Sequence, residues 1–108
     1  MEPPEPLKPP HPDSRAKAHH LLLASEDEAN ALKACIHTLD DLMQLAPSHS
    51  RCPSAKIGGD LGLCKPGVMV GEMETVVFSA PLDTLIGPIQ TVHGFHLVWI
   101  KKRHLADA

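Results

Sequence analysis

The first strongly apolar stretch is residues 16–24, AKAHHLLLA. It is short, centres on Leu21-Leu22-Leu23 and is bounded by polar residues, which predicts a buried strand. SEDEANALKACIHTL follows. Ser25 with Glu28 three residues later has the form of a capping box, and Glu26 and Asp27 suit the positive end of a helix dipole. Ala29, Leu32, Ile36 and Leu39 then recur on one helical face, so the helix is expected to reach Leu39. Asp40 or Asp41 is placed to cap a second helix carrying Leu42, Met43, Leu45 and Ala46. Pro47 is expected to end it, because proline disfavours helix in the residue before it.

From 48 to 67 the pattern weakens to loop, with Gly58-Gly59 and Pro66-Gly67 as breakers and a short extended piece at Leu61–Leu63. Residues 71–77, GEMETVV, suit a short helix with Met73, Val76 and Val77 inward. Leu85–Thr91 and Phe95–Lys101 read as two strands of a hairpin through Val92-His93-Gly94, with Gly94 at the turn. The run FHLVWIK is apolar almost throughout, as a central strand covered on both faces would be. The order is strand, helices, short strand, helix, strand, strand. That is an α+β domain on a small, mainly antiparallel sheet.

Composition changes this picture at one end. Six of the 11 prolines lie in the first 12 residues, so residues 1–15 read as a disordered, polyproline-like arm and residues 16–104 as the domain. Pro6-x-x-Pro9 is a weak match to ligands of proline-reading domains. A length of 108 residues suits one domain. Ten Lys+Arg against 13 Asp+Glu, with no extended basic run, argue against a nucleic-acid partner. No stretch has the length and apolarity of a membrane span, and MEPPEPLKPPHPDSR lacks the apolar core of a secretory signal. A cytoplasmic protein is therefore expected, and nothing suggests an obligate oligomer, so a monomer is expected too.

Eight histidines and no tyrosine are the compositional oddities. His49-x-x-Cys52 and His93-x-x-His96 have the spacing of zinc ligands, although eight histidines produce such pairs by chance. Three cysteines, Cys35, Cys52 and Cys64, are an odd count and do not suggest a disulfide framework. Each reads by default as a small buried or half-buried thiol.

HSRCPSAKIGGDLGLCKPGVMV, residues 49–70, resembles the signature segment of parvulin-type prolyl isomerases. The likeness continues in VVFSAP (76–81), GPIQT (87–91) and GFHLVWI (94–100), and AHHLLL (18–23) resembles the family's opening strand. It covers roughly residues 16–103, with every landmark in order. What it implies is a four-stranded antiparallel sheet with about four helices, arranged β-α3-β-α-β2. It also implies catalytic roles for His20, Cys52, Thr91 and His96. His20 and His96 would be paired at the heart of the sheet, Thr91 would brace them by hydrogen bonding, and Cys52 would sit in the cleft. Leu61, Met69, Met73 and Phe95 would bind substrate. Met73 departs from the usual phenylalanine, His93 from the usual serine or aromatic residue, and Pro47 falls where relatives continue a helix. The signature accounts for His49, Cys52 and His96 without metal, so neither metal nor cofactor is expected.

The chemistry so implied is rotation about X–Pro bonds. The barrier is about 18–20 kcal/mol because the C–N bond is partly double. An isomerase must bind the twisted amide better than either planar form. Twisting ends conjugation, so the proline nitrogen becomes more basic and the carbonyl less anion-like. A dry apolar pocket and a fixed polar floor favour that state. Expected substrates are proline-containing peptides and unfolded chains. Phospho-directed relatives carry an Arg-rich insertion after the first strand. Here Ala24-Ser25 runs straight into Glu26, Asp27 and Glu28, so no phosphate requirement is expected. A non-catalytic peptide-binding or chaperone module is the alternative.

Overall fold

The computed structural model describes residues 13–51, 57–67 and 71–105. Four strands and three helices follow one another as β1 (Arg15–Leu23), α1 (Glu26–Lys33), α2 (Leu39–His49), β2 (Asp60–Cys64), α3 (Gly71–Ser79), β3 (Leu85–Thr91) and β4 (Gly94–His104). The strands form one sheet in the order β2-β1-β4-β3, antiparallel at every pairing. Among the described residues there are three helices rather than about four. The calls at Cys52 and Met69, and the arm up to residue 12, lie outside the described residues.

Strand alternation divides the core into two layers. Ala16, Ala18, Val98 and Ile100 face α3, where they pack with Met73, Val77 and Phe78. Leu21, Leu23, Leu97 and Trp99 face the other way, against Ala29, Ile36, Leu42 and Ala46 from the α1–α2 layer. β4 lies between β1 and β3, and Leu97, Val98 and Ile100 are fully buried, which is why its sequence is apolar on both faces. Burying each such side chain contributes roughly 1.5–3 kcal/mol relative to exposure.

Three local expectations are corrected. α1 stops at Lys33, although its apolar face continues in sequence. There the chain tightens, with Cys35 N–H donating to Leu32 O and Ile36 N–H to Lys33 O, so Ile36 is buried from a turn and Leu39 opens the next helix. Hydrophobic spacing reported burial correctly but could not register the break in the backbone. α2 is capped by Thr38, with Asp41 completing a capping box, rather than by Asp40 or Asp41. Pro47 sits inside α2 instead of ending it. Proline removes one amide donor from the helix, and the helix continues past it for two residues. The helix then closes with Ser50 N–H on Ala46 O.

The hairpin turn is the pair Val92-His93, and Gly94 is the first residue of β4, opposite Thr91. Its φ of 140°, and the collision an added Cβ would make with the Leu23 carbonyl oxygen, explain a glycine there. β1 begins at Arg15 and β4 runs on to His104, both slightly longer than their apolar runs.

Candidate active site

The two histidines meet because β1 and β4 are neighbours. His20 lies opposite Val98, and Leu22 opposite His96, so both rings project from the face covered by α3. The rings stack with centroids 5.3 Å apart and planes 19° from parallel, and the two Nδ1 atoms are 3.1 Å apart. Thr91, last residue of β3, brings Oγ1 to 2.7 Å from His96 Nε2. All three residues are buried.

Thr91 Oγ1 accepts the His93 backbone N–H at 3.1 Å and keeps one proton and one lone pair for His96 Nε2. A single proton lies between the two Nδ1 atoms, donated by whichever ring carries it there. His20 Nε2 is buried with no partner among the described residues. The electrostatics agree with neutral rings. Burial, reinforced by neighbouring His96, holds the His20 imidazole down to about 4. Burial, with His93 contributing, lowers His96 as well. Near pH 7 the pair is a neutral hydrogen-bonded chain rather than a charged one.

Around this chain the apolar side of the cleft forms from different elements. Met73, from the first turn of α3, is 3% exposed and belongs to the α3-side core. Leu61 of β2 and Ile86 and Ile89 of β3 are partly buried against the same core. Ile89 pairs directly with His96, a neighbour that the motif comparison did not single out. Its only advance signal was the apolar alternation of β3.

Phe95 is the site call that the fold redirects. It stands next to His96 in sequence, so strand alternation turns it to the opposite face, where it packs against the α1–α2 core. It therefore does not share a pocket with Met73 and the histidines. Cys35, read as a buried or half-buried thiol, is exposed, whereas Cys64 is buried. His93 is exposed in the hairpin turn. No group of three or more metal-ligating side chains occurs among the described residues.

The backbone around His20 is pinned from the loop side. His20 N–H donates to Gly59 O at 2.9 Å, and His19 Nδ1 lies 3.1 Å from Gly58 O. An added Cβ at Gly59 would collide with the His20 carbonyl oxygen, and the glycine's φ is 76°. Farther along β1, Leu22 N–H donates to Ser50 Oγ and Leu22 O accepts from Arg51 N–H. Residues 50–51 and 58–59 are thus both tied to the β1 edge beside His20.

A small antiparallel sheet with a buried histidine pair facing a single crossing helix is the arrangement of a parvulin-like prolyl isomerase domain. Comparison with known proteins agrees. Residues 7–102 match the rotamase family model, described as a PPIC-type PPIase domain, and the chain belongs to that family. It is 34% identical over 85 residues to the foldase protein PrsA of Geobacillus kaustophilus, which covers 78% of this chain and 30% of the relative. The crystal structure of the peptidylprolyl isomerase PrsA from Bacillus anthracis superposes with a TM-score of 0.78 at 29% identity, covering 90% of this chain and 46% of that one. The solution structure of NmPin, the parvulin of Nitrosopumilus maritimus, superposes with a TM-score of 0.69 at 27% identity, covering 85% of this chain and all of that one. The chain spans about three tenths of the length of the PrsA relatives.

Proposed function

We propose that this chain accelerates cis/trans rotation about X–Pro bonds in unfolded or flexible polypeptides, without requiring a phosphate before the proline. One observation carries the reading. A neutral Thr91–His96–His20 hydrogen-bonded chain lies on the sheet face that also holds Met73 and Leu61. In this mechanism the apolar side chains receive the proline ring and exclude water. The histidine chain is a rigid polar floor whose dipoles need not reorganise as the amide twists. Each tenfold acceleration requires about 1.4 kcal/mol of preference for the twisted amide. The family resemblance gives Met69 a substrate-binding role and Cys52 an electrostatic or steric one rather than that of a nucleophile, since no bond is broken; both lie outside the described residues.

Independence from phosphate is supported by the link between β1 and α1. It is two residues long, and Glu26, Asp27 and Glu28 open the helix. A monomer is supported by the sheet edges, since β2 has only five residues and β3 carries Pro88, which lacks an amide donor. Free thiols at Cys35 and Cys64 are consistent with a reducing, cytoplasmic setting.

Exchange spectroscopy on paired Ala-Pro and Glu-Pro peptides is the test, repeated with a phosphoserine before the proline. Acceleration of the unphosphorylated peptides is expected. A more than tenfold preference for the phosphorylated peptide would refute phosphate independence. Peptide binding without acceleration would assign the chain to a non-catalytic binding module instead.

A further inference from the structure

The N-terminal end of β1 brings together basic side chains from the two ends of the chain. Arg15 pairs with His104, and Lys17 with Lys102, across the two inner strands β1 and β4. The extra residue at the β-bulge between these pairs and the rest of the ladder is Lys101, and Lys65 follows directly after β2, whose Cys64 pairs with Ala16. With Arg103, six of the ten Lys and Arg residues lie at one end of the sheet, three of them in the short run Lys101-Lys102-Arg103. A cavity of about 260 Å³ opens there, lined by Arg15, Lys17, Lys102, Arg103 and His104 around an apolar side formed by Leu63. None of its lining residues is acidic.

Not all these cations are committed. Arg103 is used by the fold, donating to Val77 O and Ala80 O. Lys17 and Lys102 are exposed and have no hydrogen bond or ion pair among the described residues. Leu63 is 55% exposed, so the cavity offers free positive charge beside an apolar surface. At the far end of β1 the charge reverses, because Glu26, Asp27 and Glu28 open α1. Nine residues of strand separate the two ends by roughly 30 Å.

We propose that this cavity is a second polypeptide-binding site, which captures a short acidic and apolar segment of a client chain while the histidine cleft on the sheet's other face works on a proline elsewhere in it. The choice of a polypeptide as occupant rests on the isomerase reading above. The charge layout favours it over nucleic acid. A long polyanion would extend past the basic end toward the acidic turn of α1, on a chain of formal net charge −3. A few carboxylates interleaved with a leucine or valine match the charges and Leu63 within one short segment. The site would act by raising the local concentration of a client's prolines, so it alters apparent KM and leaves the bond rotation itself alone.

The test uses the full chain and a fluorescent peptide with alternating Glu and Leu and no proline, beside its Gln-for-Glu counterpart. The acidic peptide is expected to bind at low ionic strength and to weaken with salt. Lys17→Glu with Lys102→Glu should weaken it roughly tenfold, and the milder Lys17→Gln with Lys102→Gln should fall between. Thermal unfolding of both variants checks that they fold, and their turnover of a short neutral Ala-Pro peptide should equal that of the unaltered chain. Because the probe contains no proline, its binding and the isomerase assay fail independently. Equal binding of the Gln peptide, or unchanged binding in both double variants, would overturn the proposal. So would duplex DNA that binds more tightly than the peptide and is lost in the same variants, which would make the surface a nucleic-acid site.

Discussion

Acidification should destabilise this protein through His20 before most carboxylates titrate. The ring is buried, and its affinity for a proton falls from the ordinary 6.5 to about 4. Its folded-state pKa therefore lies below its unfolded one. Between those values the unfolded chain binds more protons, so stability rises with pH across the window and is lost as pH falls from 6.5 toward 4. Two and a half units at about 1.4 kcal/mol each give roughly 3 kcal/mol in total, most of it lost between pH 7.5 and 4.5. His96, also lowered, changes stability in the same direction. That is a large part of the 5–15 kcal/mol typical of a small domain. Urea unfolding from pH 7.5 to 4.5 measures the slope, with His20→Asn as the control that removes this titration. The ring's own proton resonances report its pKa directly. A His20 that titrates near 6.5, or a His20→Asn variant with the same pH slope as the unaltered chain, would show that the pair is not held neutral by burial.

Other outcomes follow from single contacts. Thr91→Val removes the hydrogen-bond partner of His96 Nε2 and the acceptor for His93 N–H, so it should cost about 1–3 kcal/mol in stability. It should also lower kcat/KM more than Thr91→Ser, a comparison made by unfolding and exchange kinetics side by side. Gly59→Ala forces a side chain against the His20 carbonyl at a φ of 76°. A loss of about 1–3 kcal/mol is expected, with shifted His20 resonances, and a stable variant with unshifted resonances would contradict the close approach. Arg103→Ala leaves the Val77 and Ala80 carbonyls without their shared donor at the end of α3 and should cost about 1–3 kcal/mol by thermal unfolding. Leu97→Ala opens a void in a fully buried position of the central strand and should cost about 2–5 kcal/mol.

What the sequence determined by itself was local or repetitive. The apolar run FHLVWIK announced a strand covered on both faces, and β4 is that strand. Ser25 announced the start of α1, where its side chain accepts from Glu28 N–H, because capping is a contact between residues three apart. His20, Thr91 and His96 could be named from a motif, since the resemblance preserves their positions along the chain. Other outcomes depended on which strand lies beside which. That the histidines share a proton chain, and that its free end is His20 Nε2, follows from β1 pairing with β4. Phe95 faces away from His96 because a strand alternates, which its neighbouring position in the motif concealed. The end of α1 at Lys33 and the passage of α2 through Pro47 were decided by backbone hydrogen bonding, which hydrophobic spacing does not record. The basic cavity could not be read from the chain, where Lys101-Lys102-Arg103 is a short run without the residues that complete it. Residues 15–17 and 101–104 lie far apart in sequence, and only the antiparallel register of the first and last strands sets their like charges side by side.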